Sequence, residues 1–190
     1  MDLGIRHPEV YSAVVSHSGV LSWNRLRDSG GFFAEGKYKG TPLNENIALA
    51  YSPNPNNSSK YDWPWGVRGV KGDLVEDVWQ RWLEHDPVTM VKTHPEDVRQ
   101  LAIYFDHGTA DDVLPVEMAR DFDRALAEAG IPHVYEEHNG GHGSAFPSRP
   151  AFGIPFLADA LSWEIVTSTS AVHPQGKVAA MWASLKVDVR

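Results

Sequence analysis

The sequence contains no cysteine among its 190 residues. This absence excludes a disulfide framework, a thiol nucleophile and a thiolate-bound metal site. No uninterrupted apolar segment approaches the roughly 20 residues that a membrane-spanning helix needs. The first residues, MDLGIRHPEV, also lack the apolar stretch and the small-residue cleavage site of a signal peptide. We therefore expect a soluble protein, with no signal that specifies a compartment.

Basic residues are scarce as well, since 17 lysines and arginines stand against 25 aspartates and glutamates and the formal net charge is -8. A surface of this sign repels phosphate backbones and anionic headgroups, which argues against a nucleic-acid or membrane partner. It still admits a neutral ester or sugar. The hydrophobic content of 42% is ordinary for a globular protein, and 190 residues suffice for one domain with a buried core.

Hydrophobic periodicity predicts an alternation of strands and helices. Apolar segments predict strands at residues 10–16, 101–106 and 132–138. Helical repeats with start and stop signals predict helices at residues 74–84, 115–130 and 155–165. This alternation is typical of an α/β fold in which helices flank a parallel sheet. Three strands would leave both sheet edges open, so we expect self-association through an exposed edge.

Residues 20–72 are rich in Gly, Pro, Asn and Ser, with YSPNPNNSSKYDWPWG at their centre. A segment of this length is too long for a simple connection, so we interpret it as an insertion or a lid-like excursion. Trp63 and Trp65 flank Pro64 there and are candidates for stacking on a phenolic or sugar substrate. Packing against the protein is an equal alternative for both.

Two loops carry the candidate catalytic residues. Asp111 follows the strand predicted at 101–106, and His142 follows the next strand, between Gly141 and Gly143. We expect these two glycines to let the backbone turn sharply and to leave the imidazole ring unobstructed. A general-base histidine needs a carboxylate that holds its ring in one tautomer, and neighbouring parallel strands bring such loops together. We therefore expect Asp111 and His142 to lie within or near hydrogen-bond reach. Asp112 is the rival for this position, and helix capping is the alternative role for either aspartate.

Three segments resemble the putative-esterase group of α/β hydrolases, which includes feruloyl esterases, S-formylglutathione hydrolases and antigen-85-type acyltransferases. The segments are RHPEVYSAVVSHSG at 6–19, LAIYFDHGTADD at 101–112 and GIPHVYEEHNGGHGSAF at 130–146. The resemblance spans most of residues 5–165, with a poor match across an insertion at about 20–96. It implies that residues 1–165 form the C-terminal part of an α/β-hydrolase domain and that 166–190 form a tail.

The same resemblance implies serine-type hydrolysis of small-molecule carboxylic esters, with Asp111 as the acid, His142 as the base and no metal or organic cofactor. The family's nucleophile stands in a GxSxG turn before the RHPE-like segment, and no GxSxG occurs in these 190 residues. We therefore expect a truncated chain that lacks the nucleophile elbow and is inactive alone. Ser18 is a weak substitute nucleophile, because Ser16 occupies the place of the first glycine.

Two other functions are alternatives to ester hydrolysis. A non-catalytic remnant would bind a ligand or a partner through its aromatic insertion. An acyltransferase would pass the acyl group to an alcohol instead of water. His138 and His142 have the spacing of a helical metal pair, but Gly140 and Gly141 between them argue against a helix and hence against a metal site.

Overall fold

The computed structural model describes residues 1–29, 42–64, 74–144 and 146–161. Its centre is a sheet of three parallel strands, β1 (Ala13–His17), β2 (Ala102–Gly108) and β3 (Val134–His138), with β2 in the middle. The predicted α/β class with a parallel sheet is confirmed. Because the strands are parallel, the loops that follow them meet at one edge of the sheet. The loops that carry Asp111 and His142, the candidate catalytic residues, lie at this edge.

Short helices flank this sheet. In chain order they are α1 (Asp2–Arg6), α2 (Trp23–Asp28), α3 (Pro42–Tyr51), α4 (Glu76–Leu83), α5 (Pro87–Thr93), α6 (Pro95–Val98), α7 (Glu117–Glu128) and α8 (Pro150–Ala160). None of these helices is long and apolar enough to cross a membrane. Helix α7 ends where the sequence predicts, because Gly130 adopts a φ of 63° just beyond it, in the left-handed conformation typical of helix ends.

One face of the sheet carries the main apolar core. Side chains alternate between the two faces of a strand, so Ile103 and Phe105 of β2 share this face, and both are buried. Phe122 and Leu126 of α7 are fully buried in the same cluster, and the Phe105 and Phe122 rings lie 5.0 Å apart. Burial of such side chains provides the principal driving force for docking α7 onto the sheet.

The opposite face of the sheet is polar near its carboxyl edge and is covered by α8. Gly153 permits this close packing, because a Cβ atom there would lie 2.8 Å from Val15 Cγ1 and 3.0 Å from His17 Nε2. Tyr104 and Phe156 also meet across this contact, with ring centroids 5.6 Å apart. Helix α8 therefore lies directly against β1 and β2.

The described part of the 20–96 insertion is helical and has its own aromatic core. Trp23, Trp79 and Trp82 are buried in it, and the Trp23 and Trp82 rings meet edge to face at 5.2 Å. Leu114 and Met118 belong to the same cluster, although they follow β2 in the chain. The insertion therefore packs beside the loop that carries Asp111. Helices α2 and α3 lie within residues 20–72, where no helix was predicted, and α4 lies where the sequence predicts a helix at 74–84.

Several predicted boundaries were wrong by a few residues, for identifiable reasons. Strand β1 starts at Ala13 and not at residue 10, because the amides of Val10 and Tyr11 both bond to the His7 carbonyl in a turn after α1. Helix α8 starts at Pro150 and not at 155, since proline suits the first helical turn and Pro155 is accommodated inside the helix. The predicted helix end at 165 and the tail 166–190 lie outside the described residues.

Candidate active site

The acid loop follows β2 and holds the Asp111 carboxylate in a fixed orientation. Its Oδ1 atom accepts hydrogen bonds from the amides of Val113, at 2.9 Å, and Leu114, at 2.8 Å. The carboxylate is fully buried. Both amides belong to the turn that Asp111 itself begins, so the loop folds around its own acid. Its neighbour Asp112 is exposed.

His142 meets this acid from the loop after β3. Its Nδ1 atom donates a hydrogen bond to Asp111 Oδ2 at 2.9 Å, so the contact expected from the sequence is present. The side chain of His142 is 41% exposed, and its Nε2 atom has no hydrogen-bond partner among the described residues. A histidine held in this way keeps Nε2 free to accept a proton at the surface of the protein.

The two loops are joined by backbone hydrogen bonds. The Thr109 amide donates to the His138 carbonyl at 2.9 Å, and the Ala110 amide donates to the Gly140 carbonyl at 3.0 Å. Gly108 makes this approach possible, because a Cβ atom there would lie only 2.3 Å from the Gly140 oxygen. The acid loop and the histidine loop are therefore a single connected unit.

The glycines beside His142 are not required by the conformation of their loop. We expected Gly141 and Gly143 to permit a sharp turn, but neither adopts a left-handed φ. A Cβ atom on Gly143 would meet nothing within 4 Å, and one on Gly141 would make only ordinary contacts. The steric requirement for glycine in this region lies at Gly108, the last residue of β2.

Electrostatics favour the ionised form of Asp111. Burial alone raises the pKa of its carboxyl group. The hydrogen bonds from the Leu114 amide, from His142 and from the Val113 amide act in the opposite direction and together are stronger, so the pKa lies below its ordinary value. Asp111 is thus a carboxylate at neutral pH and accepts the Nδ1 proton of His142.

His107 supports the acid loop, and the sequence analysis missed it. The side chain is fully buried in β2, and its Nε2 atom donates to the Leu114 carbonyl at 2.9 Å. The same nitrogen lies 3.1 Å from Asp111 Oδ2. His107 therefore spans the turn from its first residue to its last. A histidine at the end of an apolar strand, four residues before the acid, was the available signal.

A second polar cluster also escaped the sequence analysis. Asp106 is fully buried on the α8 side of the sheet, where its Oδ2 atom accepts bonds from His17 Nδ1, at 2.6 Å, and from Arg149 Nε, at 2.9 Å. The three residues are distant in the sequence, so no local pattern brings them together. Within the described ranges, no group of three His, Asp or Glu side chains has the arrangement of a metal site.

Comparison with known proteins gives a family match. The sequence model of a protein family described as "Putative esterase" matches residues 1–151. The chain belongs to this family. No match was found among curated proteins. A solved structure of a ferulic acid esterase is similar with a TM-score of 0.49 and 19% sequence identity, over 84% of this chain and 47% of that one. The chain thus spans about half the length of that structure.

Two of the other predicted site residues of this esterase-family chain lie in the described part. Ser18 follows β1 at the same sheet edge, with a strained φ of 48°, and no hydrogen bond joins its hydroxyl to His142. Trp63 is half-buried and packs against Trp82, with ring centroids 5.8 Å apart. Trp63 therefore has a packing role in the aromatic core, and a role in binding substrate stays a prediction. Trp65 lies outside the described residues.

Proposed function

We propose that Asp111 and His142 are the acid and the base of a Ser-Asp-His triad that hydrolyses carboxylic esters. The observation that carries this proposal is the 2.9 Å hydrogen bond from His142 Nδ1 to Asp111 Oδ2, with the opposite nitrogen exposed. Membership in the esterase family supports the reaction class. The order of acid before histidine along the chain also fits the α/β hydrolases.

The geometry supports a defined role for each residue. Asp111 holds the Nδ1–H tautomer of His142, so Nε2 carries the lone pair that takes a proton from an attacking serine hydroxyl. His142 then returns that proton to the leaving alcohol. When the acyl-enzyme is hydrolysed, the same nitrogen takes a proton from water. Asp111 stays ionised throughout and stabilises the imidazolium that forms.

The nucleophile is the incomplete part of this triad. No GxSxG motif occurs in the 190 residues, and we propose that the serine and the oxyanion amides lie outside them. The 190-residue chain is then expected to hydrolyse short p-nitrophenyl esters no faster than a buffer blank, because the oxyanion donors and the nucleophile supply most of the acceleration. Turnover that Ser18→Ala abolishes would instead establish Ser18 as the nucleophile.

The acid and the base are tested in a longer chain. If the reading frame ahead of Met1 encodes a GxSxG, a chain that includes it is expected to be an esterase. In that chain Asp111→Asn should lower kcat by a factor of about 10⁴, and His142→Ala should lower it by a factor of about 10⁶. Asp112→Asn is the matched control, since Asp112 is adjacent but exposed, and its kcat should be unchanged. Equal losses for Asp111→Asn and Asp112→Asn would contradict the assignment.

A further inference from the structure

The buried Asp106 cluster lies at both ends of the loop that carries His142. This loop, residues 139–148, leaves the sheet after His138 and returns at Arg149, where α8 begins. His138 Nε2 lies 3.8 Å from Asp106 Oδ1, and Arg149 Nε lies 2.9 Å from Asp106 Oδ2. One carboxylate on the central strand therefore faces the first and the last anchor of the loop.

Arg149 bonds to two strands at once. Besides its contact with Asp106 on β2, its Nη2 atom donates to Glu136 on β3 and to the hydroxyl of Tyr104. Arg149 is only 8% exposed, and its guanidinium lies over the Phe152 ring at 4.5 Å. Its hydrogen bond to Glu136, with that of Tyr104, holds the pKa of Glu136 below its ordinary value. The planar guanidinium is suited to this bridging, since it offers several donors in fixed directions.

A network of this kind is a costly way to stabilise a fold. Removing charged groups from water is unfavourable, and well-packed apolar residues often replace a buried charged pair without loss of stability. A guanidinium that bonds to two strands instead fixes the position of its own backbone segment relative to both of them. At this place it defines where the histidine loop rejoins the sheet, whereas the start of the loop is already fixed by the bond from the Thr109 amide to the His138 carbonyl.

We propose that Arg149, acting through Asp106 and Glu136, is a positioning residue that fixes the His142 loop so that Nδ1 stays on Asp111. This inference rests on the proposed function of the Asp111–His142 pair. Without the bridge, the return end of the loop would lose its hydrogen bonds to Asp106 on β2 and to Glu136 on β3. The ring of His142 would then sample positions out of reach of Asp111, and its bias towards the Nδ1–H tautomer would fall.

The test measures that tautomer directly in the 190-residue chain. Imidazole ¹⁵N spectra of uniformly labelled protein distinguish protonation at Nδ1 from protonation at Nε2, and His142→Gln assigns the signal. The key variant is Asp106→Asn with Arg149→Met, which removes both charges, keeps an acceptor for His17 and avoids an orphan buried carboxylate. We expect the Nε2–H form of His142 to rise at least several-fold, with a cooperative thermal melt retained.

Arg149→Lys provides a second measurement that does not depend on the double variant folding. Lysine keeps the charge but cannot bridge two strands, so a smaller rise of the Nε2–H form is expected. The matched control is Arg120→Met. Arg120 makes a bidentate pair with Glu137, but on the other face of β3 and at the surface, so its loss should leave His142 unchanged.

The outcomes separate the two proposals. A wild-type His142 without a preference for Nδ1–H would contradict the Asp111–His142 pair and with it the proposed function. A wild-type preference that persists unchanged in both the double variant and Arg149→Lys would overturn only the role of Arg149. If the double variant fails to fold, an unchanged His142 signal in Arg149→Lys alone overturns it.

Discussion

Gly108→Ala is the most informative single substitution at the candidate site. The added Cβ atom would lie 2.3 Å from the Gly140 oxygen and 3.0 Å from the Gly140 carbonyl carbon. Ordinary contacts begin near 3.4 Å, so the histidine loop must retreat by about 1 Å. Gly108 has no left-handed φ, and the effect of alanine there is therefore steric and does not arise from backbone strain.

The loss of stability expected for Gly108→Ala depends on which contacts are broken when the histidine loop moves away. The bond from the Ala110 amide to the Gly140 carbonyl is 3.0 Å long and would be lost, and His142 lies only two residues beyond Gly140. Overpacking of this kind costs about 1–3 kcal/mol. For a chain of this length each kcal/mol lowers Tm by roughly 2–4 °C. In an active chain with the complete triad, a displacement of about 1 Å should lower kcat about 10²-fold.

The assay combines a thermal melt with the ¹⁵N spectrum of His142. Gly143→Ala is the control in the same loop, because a Cβ atom there meets nothing within 4 Å, and its stability should stay within about 0.5 kcal/mol of wild type. A Gly108→Ala protein with wild-type stability and an unaltered His142 tautomer would refute the reasoning. The two loops would then move independently, contrary to the contacts described above.

Three further predictions concern stability and association. The pKa of Asp111 is lowered in the folded protein, so the ionised carboxylate contributes to the free energy of unfolding above the ordinary pKa near 3.9, and this contribution is lost as the pH falls through the lowered pKa. Asp111→Asn should therefore destabilise the protein at pH 6. Denaturant titrations should show that the difference between variant and wild type vanishes below the lowered pKa. Asp86→Ala should lower the free energy of unfolding by about 2–4 kcal/mol in chemical denaturation, because the buried carboxylate caps α5 through the Thr89 amide and also accepts a hydrogen bond from the Trp23 amide at 2.7 Å. A loss below about 0.5 kcal/mol would contradict this account. Among the described residues β1 pairs only with β2, so light scattering should detect self-association of the 190-residue chain, and a monodisperse monomer would refute it.

The strands and the acid–histidine pair were predictable because their signals are local. LAIYFD is apolar enough to indicate a buried strand, and β2 begins within one residue of that prediction. Asp111 and His142 follow successive strands, and parallel strands end at one edge of the sheet, so the proximity of the two residues was predictable. Helix α7 was predictable for the same reason, since its apolar stripe and Gly130 lie within one segment.

The remaining features depend on contacts between distant residues. Nothing near Arg149 in the sequence indicates that it bonds to Asp106 and Glu136, because α8 reaches them only after the chain has folded back. The close approach of the Gly140 carbonyl to Gly108 also joins residues that are distant in the chain, so no local pattern indicates it. The sharp turn predicted from the glycines flanking His142 does not require glycine, since neither residue adopts a left-handed φ.

The shared aromatic core constrains how this chain can change. Leu114 and Met118, on either side of the start of α7, are covered by the tryptophans of the insertion, and Leu114 also supplies the amide and the carbonyl that fix Asp111 and His107. A shortened or exchanged insertion would uncover Leu114 unless its replacement brought an apolar surface of its own. Diversification of the insertion is therefore restricted at this contact, and a redesign that grafts a new insertion should keep the residues that cover Leu114.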